Sequence, residues 1–393
     1  MNDQRRVFLI VMDGCGIGRA YDLPGKLPAG VVEPEGWTIP HVAEFVGGLH
    51  LPSMERLGLG RIAFITGLNA GHTVIGSYGA ARIASAGKDS VTGHWEMAGI
   101  QTLIPFPLYP QGFPPEVIEP FEKHVGHQVL GNMAASGTEI IQRFGAEHMQ
   151  SGMPIVYTSA DSVMQIAAHE EIIPLDALYE MCAYARSILV APNNVQRVIA
   201  RPFVGNTESG FKRTEHRRDF PLTAPAPNLI SVLNEAKRRT HAIGVVAELF
   251  PGTPFTIAQR TQSNAEHLAA IRKAVIEGGA EFVFANCEDF DMLYGHRNDA
   301  AGFARALEEF DTVLGDIIGH LRSEDLLMIT ADHGNDPTTP STDHSREDVP
   351  LLAYSPSMAG GVDFGLRETL ADIAATTAAW LGVEWDGVGT RVI

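Results

Sequence analysis

The chain has 393 residues, of which 45% are hydrophobic and 19% are charged, as is typical of a globular protein. At roughly 100–200 residues per domain, this length predicts two or three domains. The net charge of −18 argues against binding to nucleic acid or to an anionic membrane, because both need a dominant basic surface. The chain has three cysteines, Cys15, Cys182 and Cys287, and none of them forms a CxxC pair. We therefore expect no disulfide framework and no zinc cluster, and a reducing compartment.

The start of the chain does not read as a targeting segment. Its first apolar run, Val7–Met12, is six residues long and is followed by Asp13, which is not typical of a secretory signal peptide. No apolar stretch approaches the roughly 18 residues needed to span a bilayer. We therefore expect a soluble cytoplasmic protein without a membrane partner, and the residues leave its oligomeric state open.

Short apolar runs alternate with segments of helical periodicity, which is typical of an α/β fold with a mostly parallel sheet. The apolar runs predict buried strands at Val7–Met12, His241–Val246, Phe282–Ala285, Leu326–Thr330 and Pro350–Tyr354. Apolar residues at three- and four-residue spacing predict helices at Ser263–Glu277, Ala300–Leu321 and Leu366–Leu381. Sites in open α/β sheets form at the carboxyl ends of the strands, so the side chains that follow these strands are the first candidates.

The middle of the chain has a different character. Prolines are dense in Pro105–Pro120 and again in Pro221–Pro227, which predicts irregular connections at both places. Between them lie two predicted strands and one predicted helix, at Ile155–Thr158, Arg197–Val204 and Leu175–Ile188. We interpret 105–221 as an inserted domain, and 1–104 with 222–393 as one discontinuous core domain.

Carboxylates and imidazoles follow several of the predicted strands. These candidate metal ligands come from four segments: Asp13, Asp291, His296, Asp332, His333 and His344. Such a ligand set suits Zn²⁺, Mn²⁺ or Fe²⁺ and is large enough for two ions, which can clamp both oxygens of a phosphoryl transfer. Each residue alone could be a loop residue or a helix cap, but their placement after separate strands predicts one shared site.

The segment Ala86–Glu96 is a candidate nucleophile turn. Gly87 and Gly93 flank the hydroxyl residues Ser90 and Thr92, and glycines let a backbone fold tightly and direct its amides at an anion. A hydroxyl becomes a nucleophile when a metal ion lowers its pKa. A plain polar turn is the alternative, and the residues alone do not distinguish Ser90 from Thr92.

A basic segment lies in the predicted inserted domain. From Arg197 to Arg218 the chain carries six basic and two acidic residues, within an acidic protein. Because guanidinium groups bind phosphate through paired hydrogen bonds, this segment could capture a phosphate, although a solvated charged face is the alternative. Asp161, just beyond a predicted strand, could meet substrate hydroxyls or cap a helix.

Eight short motifs occur in order along nearly the whole chain: Lys88–Ser90, Gly93–Glu96, Ala135–Glu139, Tyr157–Asp161, Arg197–Phe203, Asp289–Asp291, Asp332–Asp336 and Asp343–His344. This series resembles the prokaryotic, metal-dependent phosphopentomutase family of the alkaline phosphatase superfamily. The resemblance implies an α/β fold with an alkaline-phosphatase-like core, in which helices cover both faces of a mostly parallel sheet. It also implies an inserted, smaller α+β cap domain.

The same resemblance implies a role for each candidate residue. One manganese ion would be held by the nucleophile together with Asp13, Asp332 and His333. A second would be held by Asp291, His296 and His344. Ser90 stands at the position of the phosphorylated nucleophile, which is usually a threonine in the family. The sugar phosphate would be bound in the cap by Asp161, Arg197, Arg201 and Arg213.

The activity that the resemblance implies is the interconversion of ribose or deoxyribose 5-phosphate and 1-phosphate. It would proceed through a phosphoenzyme and a bisphosphate intermediate, with a sugar bisphosphate as activator. The chain departs from the family where Val245 replaces a lysine, where Arg391 replaces a serine, and where Gly36–Thr38 lacks Ser-Asp-Thr. A phosphatase, or a mutase for another sugar phosphate, is therefore the close alternative, and a non-catalytic phosphosugar-binding or metal-binding protein is a distant one.

Overall fold

The computed structural model describes residues 5–20, 35–159 and 161–393. Within them the chain forms fifteen β-strands: β1 (Arg6–Met12), β2 (Gly18–Arg19), β3 (Ser77–Ala81), β4 (Leu130–Ala134), β5 (Ile155–Thr158), β6 (Val163–His169), β7 (Arg197–Asn206), β8 (Gly210–Arg213), β9 (Arg218–Pro221), β10 (Thr240–Ile243), β11 (Ile257–Gln259), β12 (Phe282–Cys287), β13 (Asp325–Thr330), β14 (Glu347–Tyr354) and β15 (Asp363–Arg367). The same residues form twelve α-helices: α1 (Thr38–Val46), α2 (Pro52–Leu57), α3 (Leu59–Ile62), α4 (Ser90–Met97), α5 (Pro115–Val125), α6 (Gly137–Ser151), α7 (Leu175–Ile188), α8 (Leu229–Glu235), α9 (Val246–Leu249), α10 (Asn264–Glu277), α11 (Ala300–His320) and α12 (Asp372–Trp380). No helix in these three ranges has both the length and the apolar character needed to cross a membrane.

The chain divides into two compact units. One comprises Met1–Pro105 and Ala224–Ile393, and the other comprises Phe106–Thr223. The first unit contains β1–β3, β10–β15, α1–α4 and α8–α12, whereas the second contains β4–β9 and α5–α7.

The first unit is built on one mixed sheet. Its strand order is β11-β10-β12-β1-β13-β14-β3-β15, with β2 paired to β14. The strands from β11 to β13 are parallel, whereas β14 runs antiparallel to β13 and β3. All seven residues of β1 are buried, as expected for a central strand of a sheet covered on both faces. The predicted α/β fold with a mostly parallel sheet is confirmed, and β12, β1 and β13 end side by side at one edge.

The second unit is a smaller α+β unit with its own sheet. The strand order is β4-β5-β6-β7-β8, and β9 also pairs with β7. Helix α6 packs on one face through Ile140, against Tyr157 and Phe203 of the sheet. Helices α5 and α7 pack on the other face, where Phe121 and Leu178 belong to a separate core cluster. The sheet therefore has a buried layer on each side.

Two predicted elements of the first unit need correction. The predicted strand His241–Val246 is wrong beyond Ile243, because Gly244 has a φ of +77° and turns the chain into α9. The predicted helix Leu366–Leu381 is wrong in its first part. Residues there extend β15 along β3 at the sheet edge, and α12 begins only at Asp372.

Candidate metal centre and nucleophile

Three neighbouring strands deliver the candidate metal ligands to one place. Asp13 follows β1, Asp332 and His333 follow β13, and Asp291 lies in a π-helical turn that follows β12. Their strands are adjacent and parallel, so the side chains converge at the carboxyl edge of the sheet. Ligand atoms of Asp13, Asp291 and His333 lie within 4.8 Å of one another, which is the spacing of a metal site.

Asp13, Asp332 and His333 form the first candidate ligand set. His333 Nε2 lies 3.3 Å from Asp13 Oδ1 and 3.4 Å from Asp332 Oδ2. Asn286 donates to Asp13 Oδ2 at 2.6 Å, and the Gly14 amide donates to Asp332 Oδ1 at 3.1 Å. The other oxygen of each carboxylate is buried and has no hydrogen-bond partner among the described residues. Both unpaired oxygens are therefore available to a cation.

Asp291, His296 and His344 form the second candidate ligand set. Asp291 Oδ2 lies 3.0 Å from His296 Nε2, and Asp291 Oδ1 lies 3.1 Å from His344 Nε2. The Nε2 atoms of the two histidines are themselves only 3.1 Å apart. Asn335 donates to Asp291 Oδ1 at 2.7 Å and fixes the carboxylate. The three ligand atoms thus surround a space the size of one ion.

The hydrogen bonds of the histidines fit metal ligation. In all three, Nδ1 faces a backbone carbonyl: His296 faces Thr342 at 2.7 Å, His333 faces Gly334 at 3.2 Å, and His344 faces Lys88 at 2.8 Å. A proton on Nδ1 leaves a lone pair on Nε2, the atom that points to the carboxylates. Metal-bound histidines commonly donate their second nitrogen to a backbone carbonyl in this way. The donor set therefore fits two divalent cations.

The charges of the site also favour cations. Burial raises the pKa of Asp13 well above its ordinary value, and the carboxylates of Asp332 and Asp291 raise it further. Burial acts in the same direction on Asp291, but hydrogen bonds to His296 and His344 hold its pKa well below the ordinary range. Burial lowers the pKa of His344, but the bond to Asp291 outweighs it and raises that pKa to about 9. Carboxylates packed this closely need compensating positive charge.

The structure separates the two hydroxyls of the candidate nucleophile turn. Helix α4 begins at Ser90, and the Asp89 side chain caps it by accepting from the Thr92 amide at 3.1 Å. The Thr92 hydroxyl donates to the same carboxylate at 2.7 Å and is buried. The Ser90 hydroxyl instead lies 3.2 Å from His333 Nε2, beside the first ligand set. Thr92 is occupied in the cap, whereas Ser90 faces the candidate metal ligands.

Arg346 holds the backbone that leads to Ser90, and sequence reasoning did not single it out. It is among the largest fully buried side chains and donates to the backbone carbonyls of Ile83, Ser85 and Gly87. Such bonds to three nearby carbonyls fix the loop in front of α4. In the sequence this arginine lies in a polar stretch after His344, and nothing in its neighbourhood predicts that it is buried or that it supports the site.

Glu347 is a second supporting residue that the sequence did not indicate. It is fully buried and accepts from the amide and the hydroxyl of Thr38 at 2.9 and 2.7 Å, and from the Ser345 hydroxyl at 2.7 Å. Burial raises the pKa of its carboxyl to about 7 despite these bonds. Gly334, which follows His333, packs so closely that an added Cβ would overlap the Glu347 side chain. Glu347 thus braces the loops that carry the ligands.

The candidate phosphate-binding residues lie in the second unit. Arg201 is half-buried and donates from Nε to Gln165 Oε1 at 2.9 Å, whereas Arg213 at the end of β8 is exposed. Arg197 lies 3.7 Å from Asp219, which also forms a two-pronged pair with Arg217 at 2.7 Å. Because of the strand register, Arg197, Arg201 and Arg213 share one face of the sheet.

Asp161 lies in the turn between β5 and β6. Its side chain is exposed, and its carbonyl accepts from the Val163 amide at 2.9 Å. It is therefore open to a ligand rather than buried as a helix cap. Its neighbour in the motif, Ala160, lies outside the described residues.

Acids and histidines at the carboxyl edge of an α/β sheet define a metal-dependent enzyme. In agreement, the family described as Metalloenzyme superfamily matches residues 228–385. A phosphopentomutase of Caldanaerobacter subterraneus is 51% identical over 389 residues, which cover 99% of this chain and 97% of the relative. One from Herpetosiphon aurantiacus is 46% identical over 391 residues, which cover 100% and 99%. The chain belongs to the phosphopentomutase family.

Similarity to solved structures is weaker. A protein described as PH0037 from Pyrococcus horikoshii is 16% identical and has a TM-score of 0.49, over 99% of this chain and 100% of that one. A phosphoglycerate mutase of Leishmania mexicana is 15% identical with a TM-score of 0.48, over 99% and 98%.

Proposed function

We propose that this enzyme interconverts ribose or deoxyribose 5-phosphate and the corresponding 1-phosphate. The observation that carries the proposal is the 46–51% identity to phosphopentomutases over nearly the full length of the chain. The site geometry supports it, because the Ser90 hydroxyl lies beside a ligand set fit for two cations. The substrate is thus a small sugar phosphate, and the acidic chain with its three thiols suits the cytoplasm.

Two divalent ions, which we propose to be Mn²⁺, fit the two ligand sets. Asp13, Asp332, His333 and Ser90 would hold one, and Asp291, His296 and His344 would hold the other. Mixed carboxylate and imidazole sets suit Mn²⁺ among other first-row metals. When bound, such ions neutralise charge on a transferring phosphoryl group and lower the pKa of a nearby hydroxyl.

Ser90 is the group that carries the phosphoryl in this proposal. A sugar bisphosphate activates the enzyme by transferring one phosphoryl group to the Ser90 oxygen. The free hydroxyl of a pentose phosphate then attacks this phosphorus, the bond from phosphorus to Ser90 breaks, and the serine oxygen takes up the proton that the sugar releases. The resulting bisphosphate turns and returns its other phosphoryl group to Ser90: the bond from that phosphorus to the sugar oxygen breaks, the sugar oxygen takes up the proton of the serine hydroxyl, and the isomeric pentose phosphate leaves. The start of α4, held by Asp89, keeps the hydroxyl in place through both transfers.

The second unit binds the end of the substrate that is not reacting. We assign this role to 105–221 as an inserted cap, with Arg197, Arg201 and Arg213 as phosphate ligands. Guanidinium groups on one sheet face can pair with a phosphate through two parallel hydrogen bonds. Asp161, which is exposed, would accept hydrogen bonds from the sugar hydroxyls. Binding energy at this end orients the reacting end and retains the bisphosphate.

Phosphorus NMR on the purified enzyme with Mn²⁺ tests the proposal. Ribose 5-phosphate with a catalytic amount of ribose 1,5-bisphosphate should give ribose 1-phosphate without net release of free phosphate. Release of phosphate alone would establish the phosphatase alternative. Isomerisation of a hexose phosphate but not of ribose 5-phosphate would establish a mutase with another substrate. The neutral Val245, at a position where the family usually has a lysine, is the residue that motivates this alternative.

A further inference from the structure

Lys88 lies two residues before Ser90, in the loop that leads into α4. Its side chain is only 11% exposed, and lysines are rarely buried to this extent unless they are paired. Lys88 is neither a candidate metal ligand nor the candidate nucleophile, so the two ligand sets do not by themselves explain why it is buried there. The contacts of its side chain indicate what it does.

These contacts join Lys88 to a segment about 255 residues further along the chain. Lys88 Nζ donates to the His344 carbonyl at 2.7 Å and lies 2.8 Å from Asp343 Oδ2. In the opposite direction, His344 Nδ1 donates to the Lys88 carbonyl at 2.8 Å. Residues 88 and 344 are therefore linked by two hydrogen bonds of opposite direction, and we call this pair of bonds the Lys88–His344 clasp.

The clasp bears directly on the second candidate ligand set. With the proton of His344 held on Nδ1 by the clasp, the lone pair of Nε2 is directed at Asp291 Oδ1, 3.1 Å away. The same short segment orients the other histidine of the set, because the Thr342 carbonyl accepts from His296 Nδ1 at 2.7 Å. By holding this segment, Lys88 steadies two of the three ligands.

The charge of Lys88 is already balanced. Asp343 neutralises the ammonium, so the clasp adds no net positive charge beside a site that is suited to cations. The Asp343 side chain is 61% exposed, so its carboxylate would remain hydrated without the lysine. These contacts turn the ammonium toward the segment that carries the ligands, which favours a positioning role over a direct contact with the reacting phosphoryl group.

We propose that Lys88 is a positioning residue that fixes His344, and through it the second cation, against the loop that carries Ser90. The inference rests on the proposed function, which supplies the cations and the nucleophile, and it adds a residue that acts between them. Removing an outer partner of a metal-bound histidine typically weakens metal binding about 10–100-fold. Because Lys88 acts through the second ligand set alone, its loss should weaken one ion and spare the other.

Titration of the metal-free full chain with Mn²⁺ tests the proposal, with the electron paramagnetic resonance signal of free Mn²⁺ as the readout. Lys88→Met should weaken one of the two ions about tenfold or more. Lys88→Gln, whose side chain is one bond shorter, should show the same loss and guards against a folding defect specific to methionine. Lys88→Arg should restore the affinity, since a guanidinium can donate to the same carbonyl and carboxylate. Lys273→Met is the matched control, because Lys273 is an exposed lysine that pairs with Glu277 at 3.8 Å.

The dependence of turnover on Mn²⁺ separates positioning from direct catalysis. Excess Mn²⁺ should bring the mutase turnover of Lys88→Met to within about threefold of wild type, because mass action fills the weakened site. A loss of turnover that excess Mn²⁺ does not restore would place Lys88 on the substrate and overturn the proposal.

Two results of the titration would also overturn it. One is wild-type affinity for both ions in Lys88→Met, even if thermal unfolding shows a loss of stability, because the role of Lys88 would then be structural only. The other is equal weakening of both ions. Mn²⁺ binding requires no turnover, so the expected affinities in a protein that does not isomerise ribose 5-phosphate would refute the proposed function alone.

Discussion

Ser90 and Thr92 show how position decides the role of a hydroxyl. Both lie in the first turn of α4, yet Thr92 donates to Asp89 and is buried in the cap, whereas Ser90 lies 3.2 Å from His333 Nε2. A serine or threonine hydroxyl is a weak nucleophile unless a base or a metal activates it. Only Ser90 lies where such activation is available.

We therefore expect phosphorylation at Ser90. After incubation with ribose 1,5-bisphosphate and Mn²⁺, the peptide that contains Ser90 should gain about 80 Da, the mass of one phosphoryl group. Ser90→Ala should abolish both the adduct and the mutase reaction, and Ser90→Thr should retain activity because it keeps a hydroxyl. Tandem mass spectrometry locates the site. An adduct on Thr92, or full mutase activity without any adduct, would contradict the assignment.

The two ligand sets predict two separable losses of metal. Asp332→Ala removes a ligand from the first set and His344→Ala removes one from the second, so each variant should lose about one of two bound ions. Turnover should fall roughly 1000-fold or more in both, equivalent to about 4 kcal/mol of transition-state stabilisation. Elemental analysis of the purified proteins counts the ions. His72→Ala, at an exposed histidine, is the control. Near-normal turnover in either variant would contradict the two-metal assignment.

At the residue scale, the candidate metal ligands are easier to predict from the sequence than the residues that hold those ligands in place. Asp13 and His333 could be predicted, because acids and histidines directly after strands have a recognisable pattern. Arg346 and Glu347 could not, because a buried charged residue has no local signature when its partners lie far away in the chain. Arg346 donates to the Ile83 carbonyl, and Glu347 accepts from the amide and the hydroxyl of Thr38, contacts that only the folded structure creates.

At the scale of elements, α4 is fixed at both ends. Asp89 caps its start, and Glu96 near its end accepts from the Ala84 amide at 2.8 Å, the Ser85 amide at 2.6 Å and the Leu370 amide at 3.0 Å. The Thr369 hydroxyl donates to the same carboxylate at 2.6 Å. Glu96 is fully buried, so these bonds join the helix to the preceding loop and to a distant segment of the chain. The orientation of the nucleophile depends on this anchorage.

Glu96→Gln should therefore destabilise the protein. The new amide NH₂ would face the Ser85 amide, leaving two donors opposed inside the core, at a cost of about 2–3 kcal/mol in the free energy of unfolding. Urea denaturation measures the change. Glu44→Gln, at an exposed position on α1, should alter the same quantity by less than about 0.5 kcal/mol. Equal stability of the two variants would show that Glu96 does not anchor α4.

Element prediction failed where special geometry or a sheet edge intervenes. The segment His241–Val246 is mainly apolar, but the left-handed conformation at Gly244 ends β10. Apolar residues in Leu366–Leu381 have helical spacing, but the first residues of this segment belong to β15 and pair with β3. The helices α10 and α11 were predictable to within a residue, because long amphipathic segments carry a strong signal.

At the scale of the whole molecule, the proposed function assigns chemistry and phosphate recognition to different units. The candidate metal ligands and Ser90 all lie in Met1–Pro105 with Ala224–Ile393, and the cap arginines all lie in Phe106–Thr223. Such a division allows one unit to act on any phosphate while the other recognises a second phosphate. A mutase has to retain a bisphosphate through two transfers, so it depends on that second recognition more than a simple hydrolase does.

This division predicts a selective effect of cap substitutions. Arg201→Ala and Arg213→Ala should lower the mutase rate with ribose 5-phosphate about tenfold or more, because each removes a charged hydrogen bond to the remote phosphate. Hydrolysis of p-nitrophenyl phosphate, assayed with the same proteins, should change less than about twofold, since that ester has no second phosphate to bind. Lys212→Ala is the matched control, because Lys212 precedes Arg213 on β8 and faces the opposite side of the sheet. If both reactions fall equally, the substitutions have damaged the fold; if neither falls, the basic segment is a solvated surface and the cap assignment is wrong.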